Sequence, residues 1–188
     1  MSAFLADLRR YLGKDQTLTF VKVLRILASE YGVQALTCYR LGRWLIRSMR
    51  RPYLWPVLPL GWPLYWLLSR YVRCAFGICL HLTAEIGPGL YIGHFGGILV
   101  SRCRLGSNCS IAQSTQIAAD AAGAGPTLGD RVWVGALARI IGPHQIGSRS
   151  TVSAAAVVER DIPENALCMG NPARVVLRTY DNTEILGV

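Results

Sequence analysis

The sequence predicts a mainly β protein: a left-handed parallel β-helix of six-residue repeats, preceded by an N-terminal α-helical segment rich in tryptophan and proline. The first observation is a period. Aliphatic side chains stand at Ile86, Ile92, Ile98, Leu105, Ile111, Ile117, Leu128, Val134, Ile140, Ile146, Val152 and Val158. Neither a 3.6-residue nor a two-residue period gives that spacing. The second is that a small residue usually follows, as at Gly87, Gly93, Gly106, Ala112, Gly129, Gly135 and Gly147. A short strand followed by a tight corner, repeated, sends every sixth side chain to the axis of a prism, and the small residue lets the backbone turn. Three such hexads make one triangular coil. The third is a change of character upstream of residue 80, where the hexads are absent.

The phase slips twice. Residues 98 to 105 gain one position, and 117 to 128 span an insert, Ala119 to Thr127, rich in Gly and Ala. An insert that leaves the hexads in phase on both sides is expected to loop outward.

Residues 16 to 51 read as helical from apolar positions such as Leu18, Val21, Leu24, Leu41, Leu45 and Ile46. Pro52 to Ser69 carries no charge, but Pro52, Pro56, Pro59 and Pro63 lie among Trp55, Trp62, Tyr65 and Trp66. Its length would allow a membrane span; the prolines oppose one, since each interior proline costs a helix about 3 kcal/mol. The expected organisation is a basic, membrane-proximal helical segment over 1–80, a β-helix domain over 81–178 with its coils from about Ala84 to Val158, and a tail over 179–188.

Of the 188 residues, 52% are hydrophobic and 16% charged, apolar for a soluble chain. The net charge of +9 lies in the first 80 residues, which hold 12 Lys and Arg against Asp7, Asp15 and Glu30; the remainder holds 8 Arg against 8 acids. Arg43, Arg47, Arg50 and Arg51 cluster on one helical face beside Trp44 and the Trp/Pro stretch, which suits an anionic membrane surface better than nucleic acid, for which no binding module is present. Packing within an oligomer is the competing reading of this segment. The six cysteines form no CxxC pair and no zinc pattern with the three histidines, so no metal is expected. Nothing at the N-terminus reads as an export signal, and a cytoplasmic location, peripheral on the inner face of the membrane, is expected.

From Glu85 to Arg178 the hexads, the His94-Phe95-Gly96-Gly97-Ile98 segment, Gly129-Asp130-Arg131 with Val134-Gly135-Ala136, and the closing Gly170-Asn171-Pro172-Ala173-Arg174 resemble the serine acetyltransferase branch of hexapeptide-repeat acyltransferases. The resemblance implies an enzyme, a homotrimer and an acetyl-CoA donor lying between neighbouring prisms. It implies His94 as the general base that takes a proton from a hydroxyl, a role suited to an imidazole near neutral pH. Amides near Gly135-Ala136 and Ser153-Ala154 match positions that contact the donor's pantetheine, and Arg174 and Arg178 would face CoA phosphates. His81 and Arg102 are candidates for contacting the acceptor, while His144 reads as a corner residue.

The chain departs from the serine-specific pattern at four places. Gly93 stands where the family has an acid before the histidine, Arg102 where it has a glutamate, Cys79 at the acid that orients the base, and Gly125 near a second histidine. These departures favour a sugar hydroxyl of a surface, exopolysaccharide or lipid-linked glycan as acceptor. The alternatives are serine O-acetylation in cysteine biosynthesis and a non-catalytic trimeric β-helix scaffold.

Overall fold

In the computed structural model, which describes residues 3–12 and 19–186, four helices lead into a left-handed parallel β-helix of about five coils. Helix α1 spans Ala3–Tyr11, α2 Phe20–Ser29 and α3 Tyr31–Ser48. A 3₁₀ turn, Pro52–Val57, leads into α4, Leu58–Phe76, which ends on Gly77 in the left-handed conformation. The helical reading of 16–51 resolves into two helices, and its Leu18 lies outside the described residues.

The proline-rich stretch is helical as well. Pro59 is at the start of α4, where backbone N–H groups have no helical partner in any case. Only Pro63 sits inside the helix and removes a ladder bond. Among the described residues no helix is long and apolar enough to cross a membrane.

The first coil is β1 (Ile78–Leu80), β2 (Glu85–Ile86) and β3 (Tyr91–Ile92), and the second β4 (Ile98–Val100), β5 (Arg104–Leu105) and β6 (Ser110–Ile111). The third is β7 (Gln116–Ala118), β8 (Thr127–Leu128) and β9 (Trp133–Val134). The fourth is β10 (Arg139–Ile141), β11 (Gln145–Ile146) and β12 (Thr151–Val152). Then come β13 (Val157–Val158), β14 (Leu167–Met169) and an antiparallel closing strand, β15 (Arg174–Leu177), followed by a short α5 (Thr183–Leu186). Face A stacks β1-β4-β7-β10-β13, face B β2-β5-β8-β11, and face C β3-β6-β9-β12-β14-β15.

All twelve axial aliphatics named from the sequence are buried. The coils start earlier than expected, at Ile78, which pairs in register with Ile98. A second inward position lies two residues before nine of the twelve axial ones and holds Ala84, Leu90, Cys103, Cys109, Thr115, Val132, Ala138, Ser150 and Ala156, all buried. Cys103 and Cys109 are therefore core filler. Burial pushes their thiols up to about 12 and about 11, and that of axial Cys168 to about 11, so they stay protonated and unreactive.

The lower end of the solenoid presents strand edges with no coil beneath. The helices cap them. Tyr39 Oη donates to the Ala84 carbonyl and accepts from Ile86 N–H; Tyr11 Oη donates to the Ile92 carbonyl and accepts from Ile92 N–H. The Arg40 guanidinium donates to the Ile86 and Gly87 carbonyls and pairs with Asp7 at 2.8 Å. Asp7, only 2% exposed, also accepts from the amides of Gly89 and Leu90. Helix α3 can come this close because Gly32 faces β3, where a Cβ would lie 2.5 Å from the Ile92 carbonyl oxygen.

Breaking a buried pair by removing one partner costs about 3–5 kcal/mol. Asp7→Ala should therefore lower stability by an amount of that order, because it strands one guanidinium and two amides. Urea unfolding checks it; a midpoint within error of the parent would show that the cap contributes little.

Candidate active site

Three corner columns run along the prism, and the residues singled out from the sequence distribute over all three. His94 lies in the first corner from face C to face A. Above it in the same column come Gln113-Ser114, Ala136-Leu137 and Ala154-Ala155, each coil hydrogen-bonded to the next: Ser114 N–H to the Gly96 carbonyl, Leu137 N–H to Gln113, and Ala155 N–H to Ala136. The Gly170–Ala173 segment closes the column at the top, with Val157 N–H donating to Gly170 and Ala173 N–H to Val157.

In this column Ser114, Leu137 and Ala155 adopt left-handed backbone conformations, with φ of 57°, 63° and 57°. That conformation costs a non-glycine residue about 1–2 kcal/mol, and each coil-to-coil hydrogen bond holds it in place. The amides of Gly135 and Ser153 are spent in the ladder, donating to Val152 and Cys168. The next amides, of Ala136 and Ala154, have no acceptor among the described residues, and neither has that of Gln113. At the corner from face B to face C the matching amides of Ser107 and Asp130 are satisfied by the Asp130 carboxylate and the Ser148 hydroxyl. The column carrying His94 thus leaves open, at Gln113, Ala136 and Ala154, the outward amides that side chains take up in the second and third coils of its neighbour.

His94 is exposed and makes no hydrogen bond among the described residues. Its loop is nevertheless anchored. Gly96 N–H donates to the Phe76 carbonyl at 2.8 Å and Ile98 N–H to Gly77 at 3.1 Å, which ties the loop to the end of α4. Phe95 meets Tyr31 edge-on at 5.2 Å, and Phe76 meets Tyr31 at 4.9 Å and Tyr71 at 5.4 Å.

His81 and Arg102 lie together, but at another corner, from face A to face B. Thr83 Oγ1 is 2.8 Å from His81 Nδ1 and accepts from Arg102 N–H at 3.2 Å. A strand of face A, about 10 Å long for three residues, separates this corner from His94. The insert lies outside the prism, with none of residues 119 to 125 buried. It folds back in a turn, Gly123 N–H to Asp120 and Ala124 N–H to the Asp120 carboxylate, and packs on Arg102. His144 stands at the next turn above, beside Gly142.

The closing arginines separate. Arg174 begins β15 at the top of the His94 column, exposed, with Nη1 on the Ala173 carbonyl. Strand β15 then crosses face C, so Arg178 emerges beside Gly147 and Glu164 on the far edge and is not brought to the donor column. Among the described residues no three His, Cys, Asp or Glu side chains come together as a metal site would need. Sequence reasoning missed Gln113, whose free amide sits between His94 and Ala136; the only signal was its equal offset from the axial aliphatic.

No family model matches the chain. A serine acetyltransferase of Synechococcus elongatus is 33% identical over 160 residues, 83% of this chain and 61% of the relative. That of Helicobacter pylori is 32% identical over 151 residues, covering 78% of this chain and 82% of the relative. The chain belongs to the serine acetyltransferase family. It spans 61% of the Synechococcus relative and 50% of the Escherichia coli one. Among solved structures, soybean serine acetyltransferase complexed with serine superposes with a TM-score of 0.74 at 30% identity, over 93% of this chain and 68% of that one. A serine acetyltransferase complex with CoA superposes with a TM-score of 0.71 at 26% identity, with the same coverage.

These relatives overturn the expected glycan acceptor: by name they are serine acetyltransferases. Gly125 shows why the departures misled. A Cβ there would lie 1.6 Å from the Arg102 carbonyl oxygen, so no side chain, histidine included, fits this path of the insert. The substitution reports how the serine acetyltransferase insert packs in this chain, not which acceptor it takes.

The aromatic anchor is testable. Phe95→Ala should cost about 0.5–1.5 kcal/mol, the usual worth of an aromatic pair, and raise amide exchange at Gly96 and Ile98 while leaving the upper coils protected. Unchanged exchange at those two amides would show that the Tyr31 contact does not hold the loop.

Proposed function

We propose that this chain transfers the acetyl group of acetyl-CoA to the hydroxyl of serine, with His94 as the general base. The observation that carries the reading is the position of His94 at the foot of a column of unpaired corner amides. From His94 to Ala154 is three coil spacings, about 14 Å, and Arg174 stands at the far end. A donor laid along this column would meet N–H groups of Ala136 and Ala154 where its pantetheine carbonyls need donors, a guanidinium near its phosphates, and an imidazole at its thioester. Gly135 and Ser153 shape the corner and leave their amides in the ladder.

The imidazole takes the hydroxyl proton as the oxygen attacks the thioester carbonyl. The tetrahedral intermediate collapses, the C–S bond breaks, and the imidazolium returns the proton to the departing thiolate. His81 and Arg102, one strand away at another corner, are placed to meet the acceptor of an adjacent subunit rather than that of their own.

The distribution of leftover apolar surface supports a homotrimer. Face A exposes Leu99 and Ile141, and the adjoining corner exposes Phe95 and Leu137. Face B presents Glu85, Arg104, Thr127 and Gln145, and face C is covered at Ser110 and Thr151 and exposes Met169, Val176 and Leu177 at its upper end. Packing face A and its corner against a neighbour buries the apolar set and encloses the His94 column.

His94→Ala should leave oligomeric state and CoA affinity nearly unchanged, since an exposed loop side chain supports neither, and lower serine-dependent thiol release by about 10²-fold or more. His81→Ala should fall much less. Full turnover in His94→Ala, or consumption of acetyl-CoA that free L-serine does not stimulate, would sink the assignment. Light scattering should give three chains per particle or a multiple of three; a stable monomer at micromolar concentration would remove the shared site.

A further inference from the structure

We infer that the α3/α4 hairpin is a docking surface for an anionic membrane. Its tip and one flank are apolar and uncovered. Tyr53, Trp55 and Leu60 are 71%, 60% and 77% exposed. Along α4 the exposed residues Leu60, Leu64, Leu67 and Tyr71 repeat at i, i+4, i+7 and i+11, a single stripe on the helix. The parallel set Gly61, Tyr65, Leu68 and Val72 is the one turned to the protein, where Gly61 admits Leu45 of α3. The stripe is thus a second apolar face with no partner among the described residues.

The tip is an ordered structure. Trp55 Nε1 donates to the Met49 carbonyl at 3.3 Å, and Arg51 Nη1 donates to Tyr53 Oη at 3.4 Å. Arg47, Arg50 and Arg51 rim one side of the apolar tip, and Arg70 and Arg73 lie further along α4, all exposed. No acid occurs between Glu30 and Glu85.

That charge pattern selects the occupant. A second copy seated by two-fold symmetry would set these arginines against their own equivalents with no carboxylate in the segment to compensate. An anionic bilayer supplies the complementary charge, and exposed Trp and Tyr suit the headgroup boundary, where an apolar ring and a polar edge are both satisfied. The hairpin tip, Tyr53 to Leu60, lies at the opposite end of α4 from Phe76 and the His94 loop, so docking through the tip and acyl transfer can coexist.

The test is co-sedimentation of the full chain with vesicles of phosphatidylcholine alone and of phosphatidylcholine mixed with phosphatidylserine. Binding should require phosphatidylserine and weaken as salt is raised. Arg50→Gln with Arg51→Gln should weaken it about 25-fold, roughly fivefold per charge. Trp55→Ser with Leu60→Ser should weaken it further, with unchanged circular dichroism and serine-dependent turnover. Equal binding to both vesicle types, no binding to either, or indifference to the arginine changes would overturn the proposal. So would a drop in particle mass for Trp55→Ser with Leu60→Ser in the absence of vesicles, which would make the stripe a contact between copies.

Discussion

A parallel solenoid satisfies its backbone by stacking coil on coil, so each end leaves unpaired donors and acceptors, and this chain is organised around closing the lower one. Unpaired backbone groups buried without partners cost about as much as lost hydrogen bonds. The closure uses four side chains, Asp7, Tyr11, Tyr39 and Arg40, on α1 and α3. Desolvation pushes the hydroxyls of Tyr11 and Tyr39 above the usual tyrosine range, which keeps them neutral and able both to donate and to accept. Each bridges both polar groups of an edge strand, a task for which a carboxylate or a lysine lacks either the donor or the acceptor. With the helices fixed there, the end of α4 falls beside the first corner from face C to face A, and the His94 loop is hydrogen-bonded to it through Gly96 and Ile98. The same docking that ends the β-helix therefore sets the conformation of the loop that carries the imidazole.

The donor column arises from a mismatch between the ladder and the corner. Each coil turns through one residue in the left-handed conformation, and the amide just before it points outward, away from the coil above. At the corner between faces B and C, Asp130 and Ser148 absorb two such amides, those of Ser107 and Asp130. At the His94 corner the equivalent side chains are Ala136 and Ala154, which have no acceptor to offer the amide of the coil below. Small residues there do two things at once: they leave the amides free and they leave room for a ligand to reach them.

The axial aliphatics were legible because they recur at one spacing and each makes the same contact, so a single chain position predicts its environment. The second inward position was not, since Ala, Cys, Thr, Ser and Val share no class; only volume unites them. The cap was invisible for a different reason. Asp7 and Arg40 are ordinary charges in sequence, and their partners Gly89, Leu90 and Ile86 are backbone groups more than forty residues away, which leave no signature in residue type. The arginines at 43 to 51 read as one cluster, yet Arg43 is held inward on the Leu82 carbonyl while Arg47, Arg50 and Arg51 face solvent. Arg174 and Arg178 were paired because they are close in sequence; a four-residue strand carries them to opposite edges of face C.

The position of Cys79 bears on how His94 can work. Cys79 lies in the middle of β1 with its neighbours Ile78 and Leu80 turned inward, so its own side chain faces outward into a cavity of about 250 Å³ between β1 and the helices, shared with Tyr65, Arg73 and His81. His94 does not line that cavity. An acid at this position would lie close to Arg73, whose charge already acts on Cys38 there, and the resulting pair would draw the carboxylate toward the helices and away from the imidazole. A thiol avoids that competition but orients nothing. The imidazole, which has no hydrogen-bond partner among the described residues, is then positioned by its loop alone, through the Phe76 and Gly77 carbonyls and the Tyr31 ring.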